Sequence, residues 1–144
     1  MARIAGIETA GLGLARARRP AVDRLAGCRV LVLEDEYFLA NDLAEDLKAH
    51  GARVIGPFAE LSEANDQVAN GGFDVAVLDI DVRGEKAFSL ADELVRRRIP
   101  FVFATGYSPE VLPVRFRGAR QLEKPVKLPE LIEEIRQLCG RKGD

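Results

Sequence analysis

Acidic side chains stand directly after short apolar runs, a placement that could bring them together to do chemistry. Val75–Leu78 is an uninterrupted apolar run that ends at Asp79, and glycines bound it at Gly71, Gly72 and Gly84. Such a run predicts a strand buried on both faces, which is typical of parallel sheets covered by helices. Ligands bind at the carboxyl ends of the strands in such sheets. A carboxylate at that point requires a cation, a hydrogen-bond network or a reaction.

Other predicted strands end in polar groups as well. Residues 28–33 run into Glu34 and Asp35, residues 100–104 into Thr105, and residues 119–122 towards Lys124. Because parallel strands share one carboxyl edge, that edge would hold three carboxylates, one hydroxyl and one ammonium. This set suits a hard divalent cation such as Mg²⁺ together with a phosphoryl group. Asp79 could then act as a nucleophile towards phosphorus, and Lys124 and Thr105 could contact the phosphoryl oxygens.

The segments between these runs have helical spacing. The first predicted helix carries Leu39, Leu43 and Leu47 on one face, and the third covers residues 85–98. A weaker second helix contains Leu61, Ala64 and Val68, a short or broken one starts at Ser108 before Pro113, and the last runs from Leu128 to a stop at Gly140. With a short strand at 53–57, five strands alternate with five helical segments. This order predicts an α/β fold with a parallel sheet and helices on both faces.

The composition suits one domain. The chain has 144 residues, of which 47% are hydrophobic, and a formal net charge of -2, so the total charge indicates no nucleic-acid partner. We find no apolar run long enough for a membrane span and no secretory signal. Residues 1–27 hold five arginines and two acids, a net charge of +3, and have little periodicity. We therefore expect a flexible basic extension over residues 1–27 and one domain over residues 28–141.

The cysteines and the histidine suggest no metal site of their own. Cys28 and Cys139 lie far apart and lack the spacing of metal ligands, which predicts two reduced, mostly buried thiols in a cytoplasmic protein. The single histidine, His50, excludes a multi-histidine metal site and is expected at the surface near the end of the first helix.

The strand-end residues together carry a resemblance. Their identity and order resemble the receiver domain of bacterial two-component response regulators over roughly residues 28–140: Glu34, Asp35, Asp79, Thr105, and Lys124 with Pro125. The segment from Pro100 to Tyr107 is similar to the stand-alone receivers that carry a Pro-Phe-x-Phe-Ala-Thr-Gly signature. Gly84 with Glu85, and the arginine-rich end of the third helix, fit that subgroup too.

This resemblance implies a flavodoxin-like fold with strand order 2-1-3-4-5. It implies Mg²⁺-dependent transfer of a phosphoryl group to Asp79 from a histidine kinase or a histidine phosphotransfer protein. The implied metal ligands are Glu34, Asp35, Asp79 and the backbone carbonyl of Asp81. Such a regulator is not an enzyme on other substrates, although it assists its own phosphorylation and dephosphorylation. It would signal in the cytoplasm by contact with an unidentified downstream protein or by onward phosphotransfer, as a monomer or weak dimer, with no nucleic-acid or membrane partner.

Two positions depart from the common receiver pattern. Glu34 stands where an aspartate is commoner, and Gln121 stands where many receivers carry a switch aromatic. Tyr107 is the aromatic that the subgroup offers instead, so we expect Thr105 and Tyr107 to sense the phosphoryl group. We also expect phosphorylation to order the segment 107–117.

Two other functions are open from the sequence. The motif Asp79-Ile80-Asp81-Val82 resembles the nucleophile motif of haloacid-dehalogenase-type phosphatases, in which Asp79 and Asp81 would both act. Against this, the acidic pair precedes the nucleophile strand, and the chain leaves no room for a substrate-selecting cap. The third possibility is a receiver-shaped binding module that is never phosphorylated, which Gln121 leaves open.

Overall fold

The computed structural model of the chain describes residues 24–106 and 112–142. The strands within these residues are β1 Arg29–Leu33, β2 Arg53–Phe58, β3 Val75–Leu78, β4 Asp81–Val82, β5 Glu85–Lys86, β6 Phe101–Thr105 and β7 Gln121–Glu123. The helices are α1 Tyr37–Ala49, α2 Leu61–Asn70, α3 Phe88–Arg96 and α4 Leu128–Lys142, with a 3₁₀ helix at Val114–Phe116. None of the helices in the described ranges has the length and apolar character needed to cross a membrane.

Five of the strands form one parallel sheet in the order β2-β1-β3-β6-β7. This is the predicted order 2-1-3-4-5, because β4 and β5 form a separate hairpin. Every residue of β3 is buried, as expected for a central strand covered on both faces. Leu33 at the end of β1 pairs with Leu78 at the end of β3. The residues that follow these two strands therefore start from the same level of the sheet edge.

Alternating side chains of the strands divide the core into two layers, one on each face of the sheet. Leu31 and Leu33 face the layer that contains residues of α2 and α3, whereas Val30 and Val32 face the layer of α1 and α4. Phe103, fully buried in β6, makes edge-on ring contacts in the first layer. Its aromatic partners are Phe88, Phe101 and Phe116.

The third helix begins later than the sequence predicts. Residues 85 and 86 pair with β4 in a hairpin, and α3 starts at Phe88. The two loop residues, Arg83 and Gly84, have φ angles of 52° and 84°, as a type I′ turn requires. Residues 85 and 86, which were predicted to begin the helix, therefore belong to the hairpin instead. The last helix was also predicted too short, because α4 continues through Gly140 to Lys142.

The two cysteines form a disulfide, so the prediction of two reduced thiols is wrong. Cys28 precedes β1 and Cys139 lies near the end of α4, and the packing of α4 on the sheet brings their Cα atoms within 6.2 Å. A separation of 111 residues along the chain carries no information about this proximity.

The packed part of the chain starts before the predicted boundary at residue 28. Residues 24–27 form a turn, in which Leu25 is only 2% exposed and belongs to the α1–α4 layer of the core. The backbone N–H of Leu25 donates to the carbonyl of His50 at 2.8 Å. The buried Leu25 side chain and this hydrogen bond together anchor the turn to the domain. Residues 1–23 lie outside the described residues.

Candidate functional site

Three carboxylates meet at the carboxyl edge of the sheet. Glu34, Asp35 and Asp79 each offer one oxygen, and these oxygens lie within 4.8 Å of one another. We call these three residues the acid cluster. Glu34 follows β1 and Asp79 follows β3, and the backbone N–H of Asp79 donates to the carbonyl of Leu33 at 3.0 Å. Glu34 and Asp79 are buried, with 3% and 8% exposure, and Asp35 is half-buried. The structure thus brings together the three acids that the sequence placed at strand ends.

The backbone of Glu34 is held by an irregularity in β2. Its N–H donates to the carbonyl of Phe58 at 2.9 Å, where the register between β1 and β2 shifts. Gly56 makes this bulge possible with a φ of 104°. A Cβ at that position would lie 2.8 Å from the backbone nitrogen of Phe58. A side chain at residue 56 would therefore push β2 away and move the carboxylate of Glu34.

Lys124 supplies a cation to the acid cluster. Its Nζ lies 2.9 Å from Oε1 of Glu34 and 3.2 Å from Oδ2 of Asp79. The lysine backbone is fixed just beyond the edge strand, because its N–H donates to the carbonyl of Thr105 at 2.9 Å. One ammonium against three carboxylates leaves excess negative charge in a largely buried place, which favours the binding of a further cation.

Burial controls the protonation of these groups. It raises the pKa of Glu34 and of Asp79, because desolvation penalises each carboxylate more than contact with Lys124 favours it. Burial of the Lys124 ammonium works to lower its pKa, but the hydrogen bond from Lys124 to Glu34 and the nearby negative charges outweigh it. The pKa of Lys124 is therefore raised, and the lysine stays charged at neutral pH.

The hairpin after β3 holds Asp35 in position and supplies hydrogen-bond donors to the carboxylate of Asp81. Oδ2 of Asp35 accepts the backbone N–H of Arg83 at 2.9 Å. The carboxylate of Asp81 accepts the N–H of Gly84 at 3.0 Å and the Lys86 ammonium at 2.7 Å. Sequence reasoning missed Arg83 and Lys86. The Arg83-Gly84 pair is a weak signal, because tight hairpins favour Asn-Gly or Asp-Gly and because the residue that follows the pair, Glu85, is not apolar.

The remaining predicted residues lie on or beyond the next strands. Thr105 is 2% exposed at the end of β6. Gln121 is half-buried in β7 and pairs with Phe103. Tyr107 lies outside the described residues, and so do residues 108–111, where a helix start was predicted. The structure therefore brings Lys124 onto the acid cluster and places Thr105 at the end of the adjacent strand.

The chain is similar to bacterial regulatory proteins and receiver domains. It is 31% identical over 117 residues to the transcriptional regulatory protein PdtaR of Mycobacterium tuberculosis, a match that covers 78% of this chain and 57% of that protein. It superposes on the non-phosphorylated HemR receiver domain from Leptospira biflexa with a TM-score of 0.67 and 29% identity, over 78% of this chain and 94% of that one. It superposes on the solution structure of SdrG from Sphingomonas melonis Fr1 with a TM-score of 0.60 and 33% identity, over 77% of this chain and 95% of that one.

These similarities define the class of the domain. The described residues have the fold of response-regulator receiver domains, with the acid cluster at the carboxyl edge of the sheet. In sequence and in fold the chain is a relative of the response regulators. It spans about half the length of the curated relatives it matches. No protein-family model matches the chain.

The phosphatase alternative is not favoured. The structural relatives are receiver domains, and in the described hairpin the carboxylate of Asp81 contacts Gly84 and Lys86. A second acid that acts with Asp79 on a phosphate ester would have to leave these contacts.

Proposed function

We propose that this chain is a phosphoacceptor of a two-component system and that Asp79 accepts the phosphoryl group. The observation that carries the proposal is the acid cluster with Lys124 between Glu34 and Asp79. The donor would be a phosphohistidine on a histidine kinase or on a phosphotransfer protein, met in the cytoplasm. Similarity to the HemR receiver domain supports this donor class.

The residues fit a magnesium ion. Three carboxylate oxygens within 4.8 Å of one another are the hard donors that Mg²⁺ prefers, and the ion commonly retains several waters. Glu34, Asp35 and Asp79 would hold it, with the backbone carbonyl of Asp81 as a further ligand. When bound, it would neutralise the acid cluster and the charge of an incoming phosphoryl group.

The chain's own groups would perform the transfer. An oxygen of Asp79 attacks the phosphorus of the phosphohistidine, so that a P–O bond forms while the P–N bond breaks. The leaving imidazole keeps the electron pair of the broken bond. The Lys124 ammonium, 3.2 Å from Asp79, balances charge on the phosphoryl oxygens. The Thr105 hydroxyl would donate a hydrogen bond to the transferred group, and Tyr107 would follow it as the switch aromatic.

Intact mass tests this assignment. Wild type, Asp79→Asn and the control Asp74→Asn are incubated with Mg²⁺ and acetyl phosphate, and separately with a phosphorylated histidine kinase. We expect a gain of one phosphoryl group in wild type and in Asp74→Asn, lost on chelation of the metal and absent in Asp79→Asn. Asp74 is a suitable control because its carboxylate pairs with Arg29, at the other end of β3. No gain from either donor would refute the proposal and favour a binding module that is never phosphorylated.

Signal output would go through contact with another protein. We propose that the phosphorylated domain acts by docking an unidentified downstream protein or by passing the phosphoryl group on, as a stand-alone receiver of the Pro-Phe-x-Phe-Ala-Thr-Gly type. The segment 107–117 adjoins Thr105 in the chain, so it is the segment that phosphorylation would reorganise first. Amide exchange in this segment, with and without a phosphoryl mimic, tests that step. Equal protection in both states would contradict it.

A further inference from the structure

A second concave surface lies at the amino edge of the sheet, on the opposite side from the acid cluster. It has a volume of about 600 Å³. Its floor is apolar and is formed by Ile99, Phe101, Phe116 and Leu138. Phe101 is the first residue of β6 and Leu138 belongs to α4, so well-packed elements form this surface.

Arginines surround this apolar floor. Arg98, Arg115 and Arg120 line the surface, and no acidic residue is among its described lining residues. We call the floor and these three arginines the basic groove. Arg115 is held in place, because its guanidinium bonds to both oxygens of Asp92 at 2.8 and 3.0 Å and lies 4.8 Å from the Phe116 ring.

Arg98 stands apart from the other two arginines. Arg115 and Arg120 form ion pairs with Asp92 and Glu134, whereas within the described ranges no carboxylate pairs with Arg98. Arg98 also has a φ of 61° just after α3. This is the left-handed conformation in which helix ends favour glycine. An exposed cation therefore occupies a position where glycine would strain the backbone less, which points to a use for its charge.

Two exposed apolar side chains accompany the floor. Val95 of α3 lines the groove, and Val114 of the 3₁₀ helix directly precedes Arg115 in the chain; they are 58% and 75% exposed. A small anion would cover neither of them, whereas a helix with an apolar stripe and acidic flanks could cover both. Aromatic residues, phenylalanine included, and arginines are also enriched at protein interfaces.

Residues 1–23, which lie outside the described residues, have the wrong charge to fill the groove. They contain four arginines and two acids. Charge complementarity therefore favours a segment from another protein.

We propose that the basic groove binds an acidic amphipathic segment of a partner protein. The inference does not depend on phosphoryl transfer, because the groove lies at the other edge of the sheet and shares no residue with the acid cluster.

A designed peptide tests the proposal. The probe is a fluorescein-labelled peptide with leucines at i, i+3, i+4 and i+7 and glutamates between them, and its twin carries lysines in place of the glutamates. Anisotropy on the full chain should show saturable binding of the glutamate peptide alone. Arg98→Glu should weaken that binding about tenfold, which corresponds to about 1.4 kcal/mol. Arg53→Glu, the same charge change at an exposed position of β2, should leave it unchanged.

Arg98→Gly separates binding from folding. Glycine relieves the left-handed backbone, so this variant should melt at the same or a higher temperature and still bind the peptide more weakly. Absence of saturable binding to wild type, equal binding of the lysine twin, or equal loss in Arg53→Glu would each overturn the proposal. A homodimer in light scattering that Arg98→Glu dissolves would assign the groove to a second copy of this chain instead.

Discussion

Replacement of Asp79 by asparagine should make the metal-free protein more stable. The substitution keeps the shape of the side chain and removes one of three neighbouring negative charges. Asp79 is 8% exposed, so solvent screens its interactions weakly. The Lys124 ammonium retains Glu34 as a partner at 2.9 Å after the change.

The distances set the size of the effect. Two carboxylates within 4.8 Å of Asp79 each repel it by at least about 3.5 kcal/mol at an effective dielectric constant of ~20. The ammonium at 3.2 Å attracts it by about 5 kcal/mol on the same scale. Repulsion thus exceeds attraction by roughly 2 kcal/mol, before the cost of burial is added. We expect the free energy of unfolding of Asp79→Asn to rise by about 2 kcal/mol at neutral pH.

Urea denaturation across a pH series measures this difference. Burial raises the pKa of Asp79 in the folded protein above its ordinary value of 3.8, so the folded state binds a proton more readily than the unfolded chain. Wild-type stability should therefore fall as the pH rises from about 3.8 through the raised pKa. Asp79→Asn should lack this part of the fall, and the two curves should converge at low pH. Added Mg²⁺ should stabilise wild type more than the variant.

Asp74→Asn is the matched control, with the expected effect of opposite sign. Asp74 accepts two hydrogen bonds from the Arg29 side chain, at 2.9 and 3.1 Å, so its loss leaves a partner behind and should destabilise the protein. If Asp79→Asn were destabilising in the absence of metal, the inference that burial and carboxylate repulsion together outweigh the attraction of Lys124 for Asp79 would be wrong.

Three further changes test the packing around the site. Phe103→Ala should lower the free energy of unfolding by about 3–5 kcal/mol in urea denaturation, because Phe103 is fully buried among aromatic rings, while Phe38→Ala, at a position 75% exposed, should be close to neutral. Lys124→Ala should cost about 3–5 kcal/mol at neutral pH and less at acidic pH, where the carboxylates are protonated; a pH-independent loss would contradict the charge argument. The Cys28–Cys139 bridge, with its separation of 111 residues, should contribute about 4.8 kcal/mol by loop entropy. Cys139→Ser and wild type under reductant should then unfold at similar urea concentrations, and a wild type that is insensitive to reductant would argue against the bridge.

The sequence predicted the features that depend on strand ends. Burial on both faces gives β3 a continuous apolar run, and such a run can end only at an edge of the sheet, so Asp79 and Glu34 could be located without coordinates. The strand order required the resemblance, because apolar runs alone do not say which strands are neighbours.

The features that the sequence did not predict depend on single local conformations or on distant packing. The β4–β5 hairpin rests on the left-handed backbone of Arg83, a residue type with no special preference for it. The disulfide rests on how α4 lies against the sheet, which no spacing encodes. The basic groove joins the end of α3, the start of β6 and the 3₁₀ helix, so its residues are scattered along the chain.

Because Leu33 pairs with Leu78 at the ends of β1 and β3, the position of the acid cluster depends on the same strand register as the packing of the core. A one-residue insertion within β1 would move Glu34 along the strand by about 3.3 Å. It would also move the side chains of β1 that follow the insertion from one core layer to the other. Such a shift of the strand register would therefore disrupt both core layers as well as displace the carboxylate of Glu34. Variants that still fold should therefore keep the acid cluster in place. The site can be lost by substitution of its side chains, but not by a gradual displacement of the strands that carry them.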